Sequence, residues 1–320
     1  MSFNKPFSLI PAYKDYLWGG DRLKKDFNKE CDIYPLAESW EASVHPDGLS
    51  YVGDGEYAGK SLKEVLDMHK DYLGSRNDTF PILVKFIDAK NDLSVQVHPD
   101  DDYARIYEND NGKTEMWYVL AAKNNAKLIY GCKHECNKED IRKGIEDGNI
   151  TNLLNYYDVK KDDVFFIPSG TIHAILAGSL IVEVQESSNV TYRLYDYKRV
   201  DKYGKSRRLD VDKALDVANL KGNDNLLRPM SIFRFKKGEV RQLLSRCKYF
   251  EMEKLMIDSD GLLYKSDELS FRILLCIDGQ GKMEFDGDLI EMMAGKCIFV
   301  PANSVDIKLS GKAKFLDIRC

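Results

Sequence analysis

Asp163-Val-Phe-Phe-Ile-Pro168-Ser-Gly170-Thr-Ile-His173 decides the fold, because its design returns in Lys296-Cys-Ile-Phe-Val-Pro301-Ala-Asn303-Ser-Val-Asp306. Each copy is a short apolar run of the kind that forms a buried strand. Each run is ended by a proline, and two residues later stands Gly or Asn, the residues that best tolerate positive φ in a turn. Five positions after the proline comes a polar residue, His in the first copy and Asp in the second. A second match lays Glu115-Met-Trp-Tyr-Val-Leu120 on Ser270-Phe-Arg-Ile-Leu-Leu275, with Ser where Glu stood. The reading is two β-barrels of one kind, of which only the first keeps its candidate ligands.

Strand signals continue outward from there. Leu93-Ser-Val-Gln-Val-His98 alternates with period two, which puts Leu93, Val95 and Val97 on one face and Ser94, Gln96 and His98 on the other. Lys127 to Tyr130, Leu180 to Gln185 and Val190 to Tyr195 read as further strands. So do Phe271 to Ile277, Gly281 to Phe285, Leu289 to Met292 and Asp306 to Leu309. Short helices punctuate them. Ser61-Leu-Lys-Glu64 is a capping box, Lys138 to Tyr157 suggests one or two helices around Gly144 and Gly148, and Asp210 to Ala218 has an acidic first turn. The polar stretch Leu220 to Pro229 reads as a boundary. It divides a first domain, 1–225, with short helical segments from a degenerate C-terminal barrel, 226–320.

The chain has 320 residues, 43% hydrophobic and 31% charged, an ordinary globular composition. No apolar run approaches the roughly 18 residues of a membrane-spanning helix. The start, MSFNKPFSLIPAYKDYLWGG, lacks the apolar core of a secretory signal, so the expected location is the cytoplasm. A net charge of −5 argues against nucleic-acid binding, which needs a basic surface, but leaves room for a small anion held by local Lys or Arg. Seven scattered cysteines do not suggest a disulfide framework. Cys132-Lys-His134-Glu-Cys136 is spaced too tightly for the usual structural zinc site.

Of five histidines, His98 ends an alternating strand on its polar face and His173 follows the Pro168 turn. Glu115 opens a strand. Two imidazoles and a carboxylate are a plausible set for Zn2+ with a position left open, although each taken alone is more commonly a satisfied polar residue. Glu183 shares a strand face with Ile181 and Gln185, and Arg193 shares one with Thr191 and Tyr195. An acid and a fixed cation on neighbouring strands could serve proton transfer and anion stabilisation, or could form a cross-strand salt bridge.

Five segments then match a family in order: Trp18-Gly-Gly20, Leu93-Ser-Val-Gln-Val-His98-Pro-Asp100, Gly112-Lys-Thr-Glu115-Met-Trp117, Ile167-Pro-Ser-Gly-Thr-Ile-His173-Ala and Ser188-Asn-Val-Thr-Tyr-Arg193. The chain resembles the short bacterial form of type I mannose-6-phosphate isomerase (phosphomannose isomerase). The resemblance covers most of residues 1–200 and, more weakly, the C-terminal barrel. It implies a mainly β fold of two cupin (jelly-roll) barrels with a few short helices. It also implies one Zn2+ per chain, bound by Gln96, His98, Glu115 and His173, with Arg193, Lys113 and Glu183 as catalytic residues. The implied reaction is aldose–ketose isomerisation between mannose 6-phosphate and fructose 6-phosphate through an enediol(ate). The expected partner is thus a small sugar phosphate, with no nucleic acid and no membrane; oligomeric state is left open.

Two departures limit the transfer. The long form of the family carries a large helical insertion where this chain has only the segment 138–157. It also carries an aromatic residue two positions after the last His, where this chain has Ile175. Lys198, Arg199 and Lys85 lie near the motifs as candidate phosphate partners, though such residues are more often surface charges. Competing readings are a cupin Fe(II) oxygenase, since two His and a carboxylate also form the facial triad, and a sugar-sensing cupin without turnover. The amide ligand, Lys113 and Arg193 weigh against the first; the candidate proton carriers Glu183 and Lys113 weigh against the second.

Overall fold

The computed structural model describes residues 4–201, 203–222 and 230–320. The boundary expected at 225/226 lies outside the described residues. Three antiparallel sheets dominate, with few helices. The jelly-roll layers face one another as sheets and do not close into continuous hydrogen-bonded barrels.

The six-stranded sheet runs in the order Val164–Ile167, Glu115–Ala122, Ser179–Glu186, Ile82–Asp88, Glu38–Ala42 and Ala12–Lys14. It is the middle layer, which explains why Ile82–Asp88 and Ser179–Glu186 are buried along their whole length. Period two sends Val182 and Val184 into one core, with Phe86, Tyr118 and the C-terminal residues Ile273 and Phe299. The opposite face sends Ile181, Trp117 and Val119 into a second core with Leu128, Tyr130 and Ile175 of the five-stranded sheet. That sheet is ordered Tyr192–Tyr195, Val95–Val97, His173–Ile175, Lys127–Cys132 and Leu154–Asp158.

The nine-stranded sheet contains the C-terminal strands, yet it also takes in the start of the chain. Phe7–Ile10 pairs antiparallel with Cys297–Val300, and Phe7 stacks on Phe299 at 5.1 Å. The segments expected as Phe271 to Ile277 and Gly281 to Phe285 form one strand, Arg272–Phe285, and Asp306 to Leu309 is the start of the longer Ile307–Arg319. The expected helices are present as Leu62–Met68 with its capping box, Lys138–Asp147 and Val211–Val217, but the 138–157 segment is helical only to Leu153, through a short 3-10 turn at Ile150–Leu153, and ends as the strand Leu154–Asp158. Among the described residues no helix is long and apolar enough to cross a membrane.

The internal repeat is structural. Gly170 and Asn303 both have positive φ, 81° and 49°. Val164–Ile167 pairs with the Glu115 strand and Cys297–Val300 with the Arg272 strand. The register corrects the second match, however. Ile167 lies opposite Glu115, and Val300 lies opposite Arg272, so the counterpart of Glu115 is Arg272 and not Ser270. A slip of two residues keeps every side chain on its face, so alternation alone does not detect it. By the same register Asp317, opposite Leu274, stands where Glu183 stands opposite Trp117. Asp306, the counterpart of His173, is exposed and paired with Lys265 at 3.1 Å.

The second lumen therefore holds an ionic cluster. Buried Asp317 accepts from Arg241 Nη1 at 2.8 Å, Tyr264 Oη at 3.2 Å and Arg272 Nη1 at 3.3 Å. Burial alone would raise the Asp317 pKa, but Arg272 and Arg241 hold it below the usual carboxylate range.

Candidate metal centre and its cavity

Backbone hydrogen bonds bring the candidate ligands together. The Gly170 N–H donates to the His98 carbonyl at 2.8 Å, pinning the Pro168 turn to the end of Val95–Val97. A Cβ at Gly170 would lie 2.9 Å from the Val217 carbonyl oxygen, so this approach requires glycine. His173 follows, opposite Gln96 in the ladder. The Lys113 N–H donates to the Pro99 carbonyl at 3.0 Å, which brings Lys113 and Glu115 back beside His98.

The donor atoms of His98, Glu115 and His173 all lie within 4.8 Å of one another, and the three side chains are buried. Among the described residues this is the one His/Cys/Asp/Glu group close enough to hold an ion; Cys132, His134 and Cys136 form no such group. His98 Nε2 is 3.2 Å from Glu115 Oε1, and His173 Nε2 is 3.6 Å from Oε2. Each imidazole turns Nδ1 toward a main-chain carbonyl, Val190 at 2.9 Å and Thr171 at 2.8 Å. A carbonyl only accepts, so a neutral ring keeps its hydrogen there and presents the Nε2 lone pair to the centre. Burial, helped by the Lys113 charge, pushes the His98 pKa down to about 3, and burial also lowers that of His173. Both are neutral at pH 7, the form that ligates.

Glu115 is the anion of the set. Burial opposes its charge, but Lys113 first and then His98 hold its pKa well below the ordinary value. The Lys113 ammonium lies 2.5 Å from Oε1 and 3.2 Å from His98 Nε2. Neither carboxylate oxygen accepts a hydrogen bond of sound geometry. A buried carboxylate whose Oε1 meets only the Lys113 ammonium and an imidazole, and whose Oε2 faces the second imidazole, fits a divalent cation. Gln96 lies beside the group, its amide 3.4 Å from His173 Nε2. A half-turn of that amide exchanges its oxygen for its nitrogen, so it can offer a fourth donor.

Gln96, Lys113, Glu183 and Arg193 line one cavity of about 220 Å3. The polar face of the Leu93 to His98 segment is thus the lumen, although Leu93 itself joins the lumen side and leaves Val95 and Val97 on the other. A register shift after Arg193 likewise removes Tyr195 from the face shared by Thr191 and Arg193.

Glu183 and Arg193 are not on neighbouring strands and do not pair. Their strands belong to the two different sheets, because strand order does not follow sequence order. Glu183 Oε1 is 3.2 Å from Lys85 Nζ, and Oε2 accepts from Trp117 Nε1 at 2.9 Å. Burial and the Glu115 charge raise its pKa above the ordinary carboxylate value. Arg193 Nε donates to Ser94 Oγ at 3.2 Å and Nη1 to the Arg208 carbonyl at 3.2 Å.

Lys85 is no surface charge; it is 3% exposed and lies between Glu183 and Glu38 inside the cavity. Its signal was a single ammonium within the apolar run Ile82-Leu-Val-Lys85-Phe-Ile87. Arg199 is committed to Asp196 and the Asp92 carbonyl, and Lys198 sits beside Gly148, so neither lines the cavity. Arg207, absent from every sequence motif, does line it.

Known proteins share this chain's sequence and fold. Residues 7–127 match the family profile "Phosphomannose isomerase type I, catalytic domain", and residues 218–319 match "Mannose-6-phosphate isomerase, cupin domain". A mannose-6-phosphate isomerase of Bacillus subtilis is 35% identical over 97% of this chain and 97% of its own length. One from Streptococcus mutans is 44% identical over 68% of each chain. The crystal structure of the mannose 6-phosphate isomerase from Bacillus subtilis superposes with a TM-score of 0.91 at 33% identity, covering 99% of both chains.

Proposed function

The chain belongs to the type I phosphomannose isomerases, and from that premise we propose that it interconverts mannose 6-phosphate and fructose 6-phosphate with one Zn2+ held by Gln96, His98, Glu115 and His173. The observation that carries the reading is convergence. The buried His98–Glu115–His173 group lies against a cavity whose wall holds Gln96, a carboxyl of raised pKa at Glu183 and the cations Lys85, Lys113, Arg193 and Arg207. Within this reading, residues 1–225 are the catalytic cupin domain and 226–320 the degenerate one.

Isomerisation moves one proton between C1 and C2 of the open-chain sugar and another between their oxygens, and passes negative charge through an enediol(ate). Zn2+ in the His98–Glu115–His173 group supplies Lewis acidity toward sugar oxygens. Glu183 takes the proton from one carbon and returns it to the other; a pKa raised by burial helps it hold that proton between the two transfers. Lys113, close to Glu115, is the second candidate for this step. Arg193 stays a cation, because a guanidinium is not deprotonated near neutrality. It stabilises oxyanion charge and does not act as a base.

A coupled assay converting mannose 6-phosphate to fructose 6-phosphate, run with and without a chelator, tests the reading. Turnover abolished by chelation and restored by Zn2+ supports it. Absence of turnover in protein shown to hold zinc overturns it. Iron in the purified protein with oxygen consumption would identify the oxygenase reading instead.

A further inference from the structure

The cavity's ion pairing leaves a specific surplus of charge. Lys85 is matched by Glu183 and Glu38, and Lys113 by Glu115. Two guanidiniums on the cavity wall remain, Arg193 and Arg207. Among the described residues, the Arg193 side chain donates only to the Ser94 hydroxyl and a carbonyl, and meets no carboxylate in an ion pair. Arg207 donates to Asp196 through Nε at 2.7 Å and Nη2 at 2.6 Å, but that carboxylate is shared with Arg199. Among the described residues, no hydrogen bond leaves Arg193 Nη2 or Arg207 Nη1. Burial, then the Arg207 charge, lowers the Arg193 pKa, as two nearby like charges require.

We infer that Arg207, fixed by Asp196 and acting beside Arg193, is the anchor for the substrate's phosphate and sets the preference for phosphorylated over free sugar. The inference rests on the isomerase reading for its substrate, but not for its chemistry. Asp196 grips one edge of Arg207 and so orients the planar fork before any ligand arrives. A dianion entering there meets two half-free guanidiniums whose mutual repulsion it relieves. Arg193 can then serve both the anchoring and the reacting ends, whereas Arg207 contributes to binding alone.

The test uses zinc-loaded full-length protein with Arg207→Ala, Arg207→Lys and, as a control on the same loop, the exposed Lys205→Ala. One charge-assisted contact predicts that Arg207→Ala raises KM for mannose 6-phosphate by about 10–100-fold. The inhibition constant of inorganic phosphate rises by a similar factor, while kcat stays within about fivefold. Turnover of unphosphorylated mannose is unchanged, Arg207→Lys recovers part of the KM, and Lys205→Ala behaves as wild type. An unchanged KM and phosphate constant overturns the inference, as does a fall in kcat with KM unchanged. Should the wild type prove inactive on mannose 6-phosphate, calorimetric titration with inorganic phosphate still decides. Weaker binding by Arg207→Ala supports the anchor, and equal binding refutes it, independently of the proposed reaction.

Discussion

Replacing Lys85 by Met tests whether Glu183 carries the proton. Met keeps the length and the apolar stem but removes the ammonium that lies 3.2 Å from Glu183 and 3.8 Å from Glu38, over the Trp40 ring at 5.0 Å. Two unit charges 3.2 Å apart interact by about 5 kcal/mol at an effective dielectric constant near 20, a ceiling of roughly four pKa units. Glu38 shares the ammonium and Trp117 still donates to Glu183, so about two units is the expected net effect. The sign is fixed: losing a neighbouring cation favours the neutral carboxyl, so the Glu183 pKa rises further from its already raised value. The acid limb of the kcat/KM–pH profile should therefore move up by about two units in Lys85→Met. Activity should be depressed about 10–100-fold where the wild type is half-maximal, and should recover at higher pH. Zinc content should not change. An acid limb that stays in place, or a loss of activity uniform across pH, would refute Glu183 as the titrating base and Lys85 as its counter-ion.

Three further outcomes are expected. His173→Ala removes an Nε2 donor from a buried set and should lose its metal, as read by elemental analysis after gel filtration. Asp317→Asn leaves Arg272 and Arg241 facing a neutral amide in the second lumen, and breaking a buried ion pair costs about 3–5 kcal/mol; guanidinium unfolding should show this with zinc content unchanged. Burial, with a neighbouring Asp101, raises the Glu186 pKa to about 7. The folded state then binds more protons than the unfolded one between the ordinary carboxylate pKa and 7, so this residue makes stability fall as pH rises through that window. Glu186→Gln should flatten the decline, by about 3 kcal/mol at most, whereas the depressed Asp317 contributes stability that is present above its unfolded pKa and lost as pH falls below it.

The sequence made the metal group legible because its members sit at punctuated places: a strand end at His98, a strand start at Glu115 and a proline turn before His173. Alternation correctly opposed Gln96 to Val95 and Val97. It does not tell which strands pair, so it sets Glu183 and Arg193 side by side although they lie on different sheets. Nor does a period of two distinguish Ser270 from Arg272 as the partner of Glu115, since both lie on the same face. Arg207 was invisible for another reason. It belongs to a loop without periodicity, and only its Asp196 clasp and its place on the cavity wall mark it out.

The pairing of Phe7–Ile10 with Cys297–Val300 makes the two ends of the chain structural neighbours. Phe7, Phe86 and Tyr118 share one apolar core with Ile273, Phe299 and Leu316, so neither portion owns the interior it needs. Severing the peptide between residues 222 and 230 would not free two independent bodies. The pieces should behave as a split protein that reassembles through that common core, while either expressed alone would present its half of the core to water and aggregate. A fusion at the amino terminus meets the same constraint, because its linker must leave from beside the C-terminal sheet.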